Sequence, residues 1–553
     1  MLRNLSYLFV FLFLLPFITK AQLLSNKEEF SRKDSLRGQL TPLRTCYDVT
    51  YYHLDIDIDI KKRSISGSNL IKFKTIADFN RIQIDLFDNM AIDKILYKGK
   101  KLKYTREFNA VFIDFPSKIK AKSIDSINVY FSGVPHQANR APWDGGFDWK
   151  KDSNDKPWIA SANQGVGASL WWPNKDHQSD EPDSVLISVT VPKDLMNVSN
   201  GRLRSVETIG KKKSKFNWFV SNPINNYNIA INIGDYVHFQ DSFNGEKGKL
   251  DIDYYVLREN KNRAKPHFEA NVKPMLSAFE YWFGPYPFYE DSFKLVETSH
   301  LGMEHQSGIA YGNRFLNGYL GRDGSGTGWG LKWDFIIIHE AGHEWFGNNI
   351  TAADIADMWI HESFTNYSES LYIDYYFGKK AGQEYLHGNR RSIQNKTPIQ
   401  GQYHVNNEGS GDMYNKGGVL HNMIRTIIAD DHKWRNILRG LNSKFYHQQV
   451  NYDDIVNYIN QESGFNFSSI FEQYVKTTAI PVLIITDQDD GKIKAKWKNT
   501  VDNFEMPIYI GTADNNLKAI NITNDDQTLN IPNLSKENIK IDTFNYYIDV
   551  QKN

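Results

Sequence analysis

The chain has 553 residues and a mass of 64.0 kDa, and its 65 basic and 65 acidic side chains leave no formal net charge. A hydrophobic content of 41% with 24% charged residues excludes a disordered chain and a multi-spanning membrane protein. The even charge balance argues against a nucleic-acid partner. The single cysteine, Cys46, excludes an intramolecular disulfide, so apolar cores must provide the stability.

The first residues are typical of a secretory signal peptide over residues 1–21. Arg3 precedes an apolar run from Leu5 to Ile18, and Ala21 is a small residue suited to cleavage. The run is shorter than the about 20 residues that a membrane span requires, which favours cleavage over an anchor. We therefore predict an exported protein, periplasmic or secreted, without a stable membrane anchor.

Short segments with strand-like alternation follow, separated by Gly, Pro, Asn and Asp. From Leu54 to Ile60, apolar and acidic residues alternate with period two, which indicates a half-buried strand. Further strands are predicted at Asn69–Lys74, Arg81–Leu86, Ser126–Phe131, Ser184–Val191 and Tyr227–Ile233. We predict an N-terminal antiparallel β domain over residues 22–240.

The pattern then changes to an α-rich block over residues 241–478. Helices are predicted at Arg263–Phe283, 333–349, 362–377, Gly417–Ala429 and Tyr452–Glu462. Strand-like runs return after Ile480, which predicts a small C-terminal β module over residues 479–553. The fold class is therefore α+β and multidomain.

One segment of the α-rich block has metal-ligand spacing. His339 and His343 lie four residues apart, so a helix places both imidazoles on one face, where they can bind one zinc ion. Glu340 between them would lie beside the metal-bound water. Glu362 follows His343 by eighteen residues and could return as the third ligand, leaving a fourth position open, as in catalytic zinc sites. The alternatives are two histidines on an ordinary helix and a surface acid.

The segments HEAGHEWFGN and WIHESFTNYSE resemble the aminopeptidase N family of gluzincins, peptidase family M1, which includes leukotriene A4 hydrolase. The resemblance covers about residues 45–550. It implies that residues 241–478 form a thermolysin-like α/β catalytic domain with one Zn²⁺ per chain. Many members add a large helical domain after the C-terminal β module. Only a short stretch follows Ile480 here, so we expect no such domain and a more open cleft.

The resemblance also implies a substrate-binding strand. The family's Gly-Ala-Met-Glu-Asn motif corresponds to Leu301-Gly302-Met303-Glu304-His305, with departures at Leu301 and His305. Glu304 would bind the free α-amino group of the peptide through a charge-assisted hydrogen bond. Gly302 and Met303 would lie beside the substrate.

Further roles follow from the same resemblance. Gln164, nine residues before Pro173, matches a second anchor for the amino group, and Tyr414 in Tyr-Asn-Lys-Gly matches the tyrosine that stabilises the oxyanion. A ligating histidine usually donates its other N–H to a carboxylate or carbonyl. The candidates for such supporting contacts are Asp357, Glu369 and Asn348.

The resulting hypothesis is a zinc-dependent aminopeptidase that hydrolyses the first residue of peptides with a free N-terminus. Glu340 and Tyr414 would be catalytic, and His339, His343 and Glu362 would hold the metal. The alternatives are a zinc endopeptidase on the same fold and a non-catalytic peptide-binding protein. An epoxide hydrolase side activity is left open by these motifs. The glycine-rich stretch Gly321–Gly330 lacks a phosphate-loop signature, so it predicts a loop near the cleft mouth.

Overall fold

The structure is a computed structural model that describes residues 30–488 and 492–553. The predicted signal peptide over residues 1–21 lies outside the described residues. Two buried apolar clusters organise the molecule, one in the N-terminal β unit and one that extends from Leu250 to Tyr546. Within the described ranges, no helix is long and apolar enough to cross a membrane.

The N-terminal unit is built from three sheets around the first apolar cluster. The largest has eight strands: Tyr47–Asp59, Ser64–Thr75, Met90–Tyr97, Lys100–Lys101, Ile124–Gly133, Ser184–Pro192, Arg202–Ile209 and Lys213–Val220. A four-stranded sheet contains Gly146–Lys151, Pro157–Ala162, Met196–Val198 and Asn232–Gly234. A three-stranded sheet contains Phe79–Asp85, Lys103–Glu107 and Ala110–Ile119. The short helices Arg32–Gly38 and Pro42–Thr45 precede them.

The strand Tyr47–Asp59 shows why the alternating sequence folds this way. Leu54 and Ile56 are buried in the core, whereas Asp55 and Asp57 lie on the other face and pair with Lys215 (2.8 Å) and Lys213 (2.6 Å). The strand pairs antiparallel with Ser64–Thr75 but parallel with Ser184–Pro192. The large sheet is therefore antiparallel with one parallel pairing.

The strand predicted at Tyr227–Ile233 is mostly wrong. Residues Asn226–Asn228 form a 3₁₀ turn, which begins where the Asn225 side chain accepts from the backbone N–H of Tyr227. The strand in this region is the short Asn232–Gly234. Asparagine side chains form hydrogen bonds with neighbouring backbone groups, and here such a bond favours a turn over the pairing of a β-strand.

The unit predicted to be catalytic, called the catalytic unit below, combines a five-stranded sheet with a set of helices. Its strands are Tyr236–Gly245, Gly248–Leu257, Phe293–Glu297, Gly302–Met303 and Ile309–Tyr311. Its helices are Lys261–Phe283, Phe335–Gly342, Met358–Phe377, Lys379–Asn389, Asn415–Ile428, Asp431–Lys444, Tyr452–Ser463 and Ser468–Lys476. Strands Ile350–Ala352 and Gln448–Val450 pair with each other. The predicted domain boundary at residue 240 falls inside the first of these strands.

Short 3₁₀ helices connect several of these elements. They are Ala168–Leu170, Asn226–Asn228, Arg258–Asn260, Tyr289–Asp291, Trp329–Lys332, Ile355–Asp357, Arg390–Ser392 and Gly411–Met413.

The helix predicted over 333–349 is shorter in the structure and spans Phe335–Gly342. Asp334 begins it by accepting from the N–H groups of Ile336 and Ile337. The chain then turns through Gly347, whose φ of 132° is in the region that only glycine adopts readily. This turn lets the next helix, Met358–Phe377, pack back against the histidines.

The C-terminal module consists of two small sheets. One contains Val482–Asp487, Ile493–Lys498, Gln527–Thr528 and Asp549–Lys552, and the other contains Met506–Gly511, Lys518–Ile522 and Lys540–Ile541. Its core belongs to the same apolar cluster as the catalytic helices. The guanidinium of Arg390 donates to the carbonyls of Thr543 (2.9 Å), Phe544 (2.6 Å) and Tyr546 (2.9 Å). The module is thus an extension of the catalytic unit rather than a separate core.

Candidate active site

A cavity of about 800 Å³ lies between the N-terminal β unit and the catalytic helices. Gln164 and Gly165 line it from the N-terminal unit, and His339, Glu362 and Tyr414 line it from the catalytic unit. Loop residues of the glycine-rich stretch, including Arg322, also line it, in agreement with the expected position near the cleft. The cavity contains the sequence-predicted catalytic, metal and substrate residues together.

The helix Phe335–Gly342 positions the two histidines. Ile336, Ile337 and Ile338 are buried. The capping residue Asp334 accepts from the phenol of Tyr311 (2.8 Å) and contacts the ring of His267 (2.6 Å). The rings of His339 and His343 are 5.1 Å apart and nearly perpendicular. The spacing of four residues therefore places both imidazoles at the same end of the cavity.

His339, His343 and Glu362 form a compact group of possible metal ligands. Their ligand atoms all lie within 4.8 Å of one another, and all three side chains are buried. The Oε2 atom of Glu362 is 3.3 Å from Nε2 of His343 and 3.8 Å from Nε2 of His339. Ligands of a tetrahedral zinc ion lie about 3.4 Å apart, given bond lengths of about 2.0–2.1 Å.

The hydrogen bonds around this group leave the ligand atoms free for a metal. Nδ1 of His339 donates to Oε1 of Glu369 (2.7 Å), and Nδ1 of His343 donates to the carbonyl of Phe346 (3.1 Å). Both Nε2 atoms therefore face Glu362, whose Oε2 is buried without a hydrogen-bond partner. An unpartnered buried carboxylate oxygen is costly unless a cation satisfies it. The residues present fit a zinc ion.

Only one of the two acidic candidates for supporting a histidine does so. Glu369 contacts His339 and also accepts from the phenol of Tyr385 (2.6 Å). Asp357 instead accepts from Trp359 Nε1 (2.8 Å) and the backbone N–H of Tyr452 (2.9 Å), so it anchors the start of its helix. The supporting contact of His343 is a backbone carbonyl.

Asn348, the third candidate, supports the substrate strand rather than a histidine. Its amide donates to the backbone carbonyl of Glu304 (2.8 Å), and its side-chain oxygen accepts from Asn228 of the N-terminal unit (2.7 Å). These bonds fix the position of Glu304 relative to the helix that carries the zinc ligands.

Glu304 and Glu340 are both buried at the same cavity. Glu304, Glu340 and His343 form a second close group of polar atoms, and Oε1 of Glu304 has no hydrogen-bond partner. Burial raises the pKa of Glu340 to about 7, in spite of the neighbouring His339. A carboxylate with a pKa near neutrality is suited to accept and return a proton.

The strand Gly302–Met303 lies directly against Glu340. A Cβ atom at Gly302 would be 2.5 Å from Oε1 of Glu340 and 2.9 Å from Cγ2 of Ile336. Because Gly302 has no side chain, the Glu340 carboxylate can lie directly against the strand. Met303 is buried and lines the cavity.

Tyr414 and Gln164 approach the group from opposite units. Tyr414 precedes the helix Asn415–Ile428, and its ring stacks on His339 with centroids 5.9 Å apart. Burial, together with the nearby Glu362, raises the pKa of its phenol well above the usual range. Gln164 donates from Nε2 to Oε1 of Glu362 (3.0 Å), which places it beside the candidate ligand.

The sequence analysis did not identify several residues of the cavity. Tyr385 lies behind Glu369, and Glu408 lies on the cavity wall without a hydrogen bond or ion pair to any described residue. Tyr227 is buried near Glu304. No local spacing signal marks these positions, because they reach the cavity through tertiary packing.

Comparison with known proteins gives one family. Residues 267–474 match the model of the peptidase family M1 domain. Probable aminopeptidase 1 of Sulfurisphaera tokodaii is 21% identical over 458 residues, which cover 79% of this chain and 54% of that protein. Endoplasmic reticulum aminopeptidase 1 of Mus musculus is 25% identical over 239 residues, 41% of this chain and 25% of that protein. The chain spans about half the length of the first of these relatives and about a quarter of the second.

Solved structures share the fold. A mutant M1 zinc metallopeptidase of Deinococcus radiodurans, bound to a Tyr-Ser-Ala substrate, has a TM-score of 0.65 at 16% identity, covering 79% of this chain and 96% of that chain. A two-domain M1 zinc metallopeptidase bound to L-tryptophan has a TM-score of 0.68 at 18% identity, covering 82% and 99%. The arrangement of β unit, catalytic unit and C-terminal β module is therefore that of known two-domain metallopeptidases.

Proposed function

We propose that the protein is a zinc-dependent aminopeptidase of peptidase family M1 that removes the first residue from peptides, since residues 267–474 match the model of that family's domain. The observation that carries the proposal is the buried group His339, His343 and Glu362, with its unpartnered carboxylate oxygen, beside Glu340. One zinc ion per chain is expected. Its ligands would be two imidazole nitrogens and one carboxylate oxygen.

A zinc ion held by His339, His343 and Glu362 would supply an activated water and polarise the scissile carbonyl. Glu340 accepts the proton of the attacking water and delivers it to the leaving amine. The phenol of Tyr414 donates a hydrogen bond to the developing oxyanion, a contact that strengthens as charge appears. Glu369 keeps His339 in the tautomer whose Nε2 is free.

Restriction to the first residue is proposed to come from Glu304 and Gln164. Oε1 of Glu304 is buried and has no hydrogen-bond partner, so a substrate ammonium would satisfy it. Gln164 donates its N–H to Glu362, and its side-chain oxygen accepts no hydrogen bond from the described residues. Both groups can therefore accept from an α-amino group, and a blocked amine would leave a buried carboxylate unpaired.

The test is hydrolysis of a panel of aminoacyl anilides, with and without a zinc chelator. We expect activity that the chelator abolishes, that N-acetylation of the substrate abolishes, and that Glu340→Gln lowers by at least about 10²-fold while zinc stays bound. Efficient cleavage of N-acetylated peptides would favour an endopeptidase instead. Purified protein without stoichiometric zinc, and without activity after zinc is added, would favour a non-catalytic peptide-binding protein.

We also propose that the protein is exported. The support is the pattern of residues 1–21, with Arg3, the apolar run and Ala21. N-terminal sequencing of the protein purified from its native cells should begin near Gln22. A mature chain that retains the apolar run would contradict this proposal.

A further inference from the structure

The proposed mechanism leaves one acidic residue of the cavity without a role. Five carboxylates line it, namely Glu304, Glu340, Glu362, Glu369 and Glu408. Each of the first four has a partner in the proposed function: the substrate amine, the attacking water, the metal and His339, respectively. Among the described lining residues, Glu408 is the glutamate that the proposed function leaves without a partner.

The position of Glu408 is well defined although its carboxylate is unpartnered. A Cβ atom at Gly165 would be 3.1 Å from Oε2 of Glu408, so the carboxylate lies against Gly165. The neighbouring Asn406 donates to the carbonyl of Gly165 (3.3 Å). Arg37, which also reaches that carbonyl, is paired with Asp176 (3.8 Å). The Glu408 side chain is exposed to the cavity and has no ion pair with a described residue.

Glu408 lies on the side of the cavity that holds the amino end of the substrate. It is adjacent to Gly165, and Gln164 next to it is bonded to Glu362. The loss of water around the Glu408 carboxyl inside the cavity, followed by the neighbouring Glu362 and Glu304, raises the pKa of this carboxyl. The Cα of the first substrate residue carries the bound amino group, so the side chain of that residue starts on the same side of the scissile bond as Glu408.

Apolar side chains also line the cavity, among them Val166, which follows Gly165 in the chain, and Met303, which precedes Glu304. Such apolar surface suits the methylene stem of a long basic side chain, whose charged head then reaches Glu408. The cationic lining residue Arg322 belongs to the glycine-rich stretch Gly321–Gly330.

We propose that the enzyme selects peptides whose first residue is arginine or lysine, and that Glu408 is the residue that binds this cationic side chain. The inference rests on the proposed aminopeptidase function and adds a substrate class to it. A guanidinium or ammonium at Glu408 would neutralise the remaining carboxylate, whereas an acidic first residue would be repelled.

The experiment compares kcat/KM for arginyl, lysyl, leucyl and glutamyl anilides in the wild type, Glu408→Gln and Glu408→Lys. We expect the wild type to prefer arginyl over leucyl substrate by about tenfold or more, and Glu408→Gln to lower that ratio about tenfold. Glu408→Lys should shift the ranking toward the glutamyl substrate. Glu505→Gln, an exposed acid of the C-terminal module, is the matched control and should leave the ratio unchanged.

Two results would overturn the inference. One is a wild type with no preference for basic residues. The other is an unchanged ratio in Glu408→Gln, and if kcat/KM then falls equally for all four substrates, Glu408 is a further anchor of the amino group. Binding of argininamide and leucinamide to Glu340→Gln, measured by calorimetry with and without Glu408→Gln, tests the same selectivity without turnover. Absence of all anilide hydrolysis, by contrast, would refute the aminopeptidase proposal itself.

Discussion

Gly302 provides the sharpest test of how the strand and the catalytic carboxylate depend on each other. In Gly302→Ala the new Cβ would lie 2.5 Å from Oε1 of Glu340, whereas ordinary contacts begin at 3.4 Å. The carboxylate must then move by about 1 Å, a displacement that costs about 10²-fold in rate when it misplaces a reacting group. This corresponds to about 2.7 kcal/mol of transition-state stabilisation. Zinc binding should remain intact, because Glu340 is not a ligand.

The assay is kcat/KM on an active aminoacyl anilide, together with zinc content and thermal unfolding. Gly308→Ala is the matched control, since its added Cβ would make an ordinary contact at 3.5 Å. We expect Gly302→Ala to bind stoichiometric zinc, to unfold near the wild-type temperature and to lose about 10²-fold in kcat/KM. Activity within threefold of the wild type would refute the reasoning, because Glu340 would then not require its present position.

Three other predictions concern the metal, the C-terminal module and the cysteine. Glu369→Gln should weaken zinc binding about 10- to 100-fold in a competition assay with a chelator, because His339 loses its charged acceptor; unchanged affinity would contradict the assigned contact. Arg390→Ala removes three hydrogen bonds to carbonyls of the C-terminal module and should lower the free energy of unfolding by about 2 kcal/mol in a denaturant titration. A change smaller than the error of the measurement would show that apolar contacts hold the module. Cys46 is buried, and burial raises the pKa of its thiol to about 11. A thiol reagent at pH 8 should therefore modify Cys46 only after the protein unfolds. Rapid labelling of the folded protein would contradict the burial of this thiol.

The sequence predicted those features that depend on local geometry. His339 and His343 lie on one helical face because residues four apart always do, and the apolar run before them starts the helix. The alternating strands of the N-terminal unit follow from period two in the same way. Glu369 could also have been preferred over Asp357 from spacing, since it follows Glu362 by two helical turns, whereas Asp357 precedes the helix.

Features that depend on tertiary packing were missed or misplaced. The helix that carries His339 ends at Gly342 with His343 as its C-terminal capping residue, because the chain must turn at Gly347 for the next helix to return. Asn348 was expected near a histidine, but the N-terminal unit recruits it through Asn228. Glu408 carries no signal of its own, since an isolated glutamate in a loop acquires meaning only from the cavity around it.

The hydrogen bond from Gln164 to Glu362 has a thermodynamic consequence. It joins a residue of the N-terminal unit to a proposed metal ligand of the catalytic unit, so the ion and the interface between the units are linked. A ligand at a thousand times its dissociation constant stabilises the folded state by about 4 kcal/mol. Metal binding should therefore also stabilise the N-terminal sheets. Their resistance to proteolysis would then report metal occupancy, although the metal site lies outside their own core.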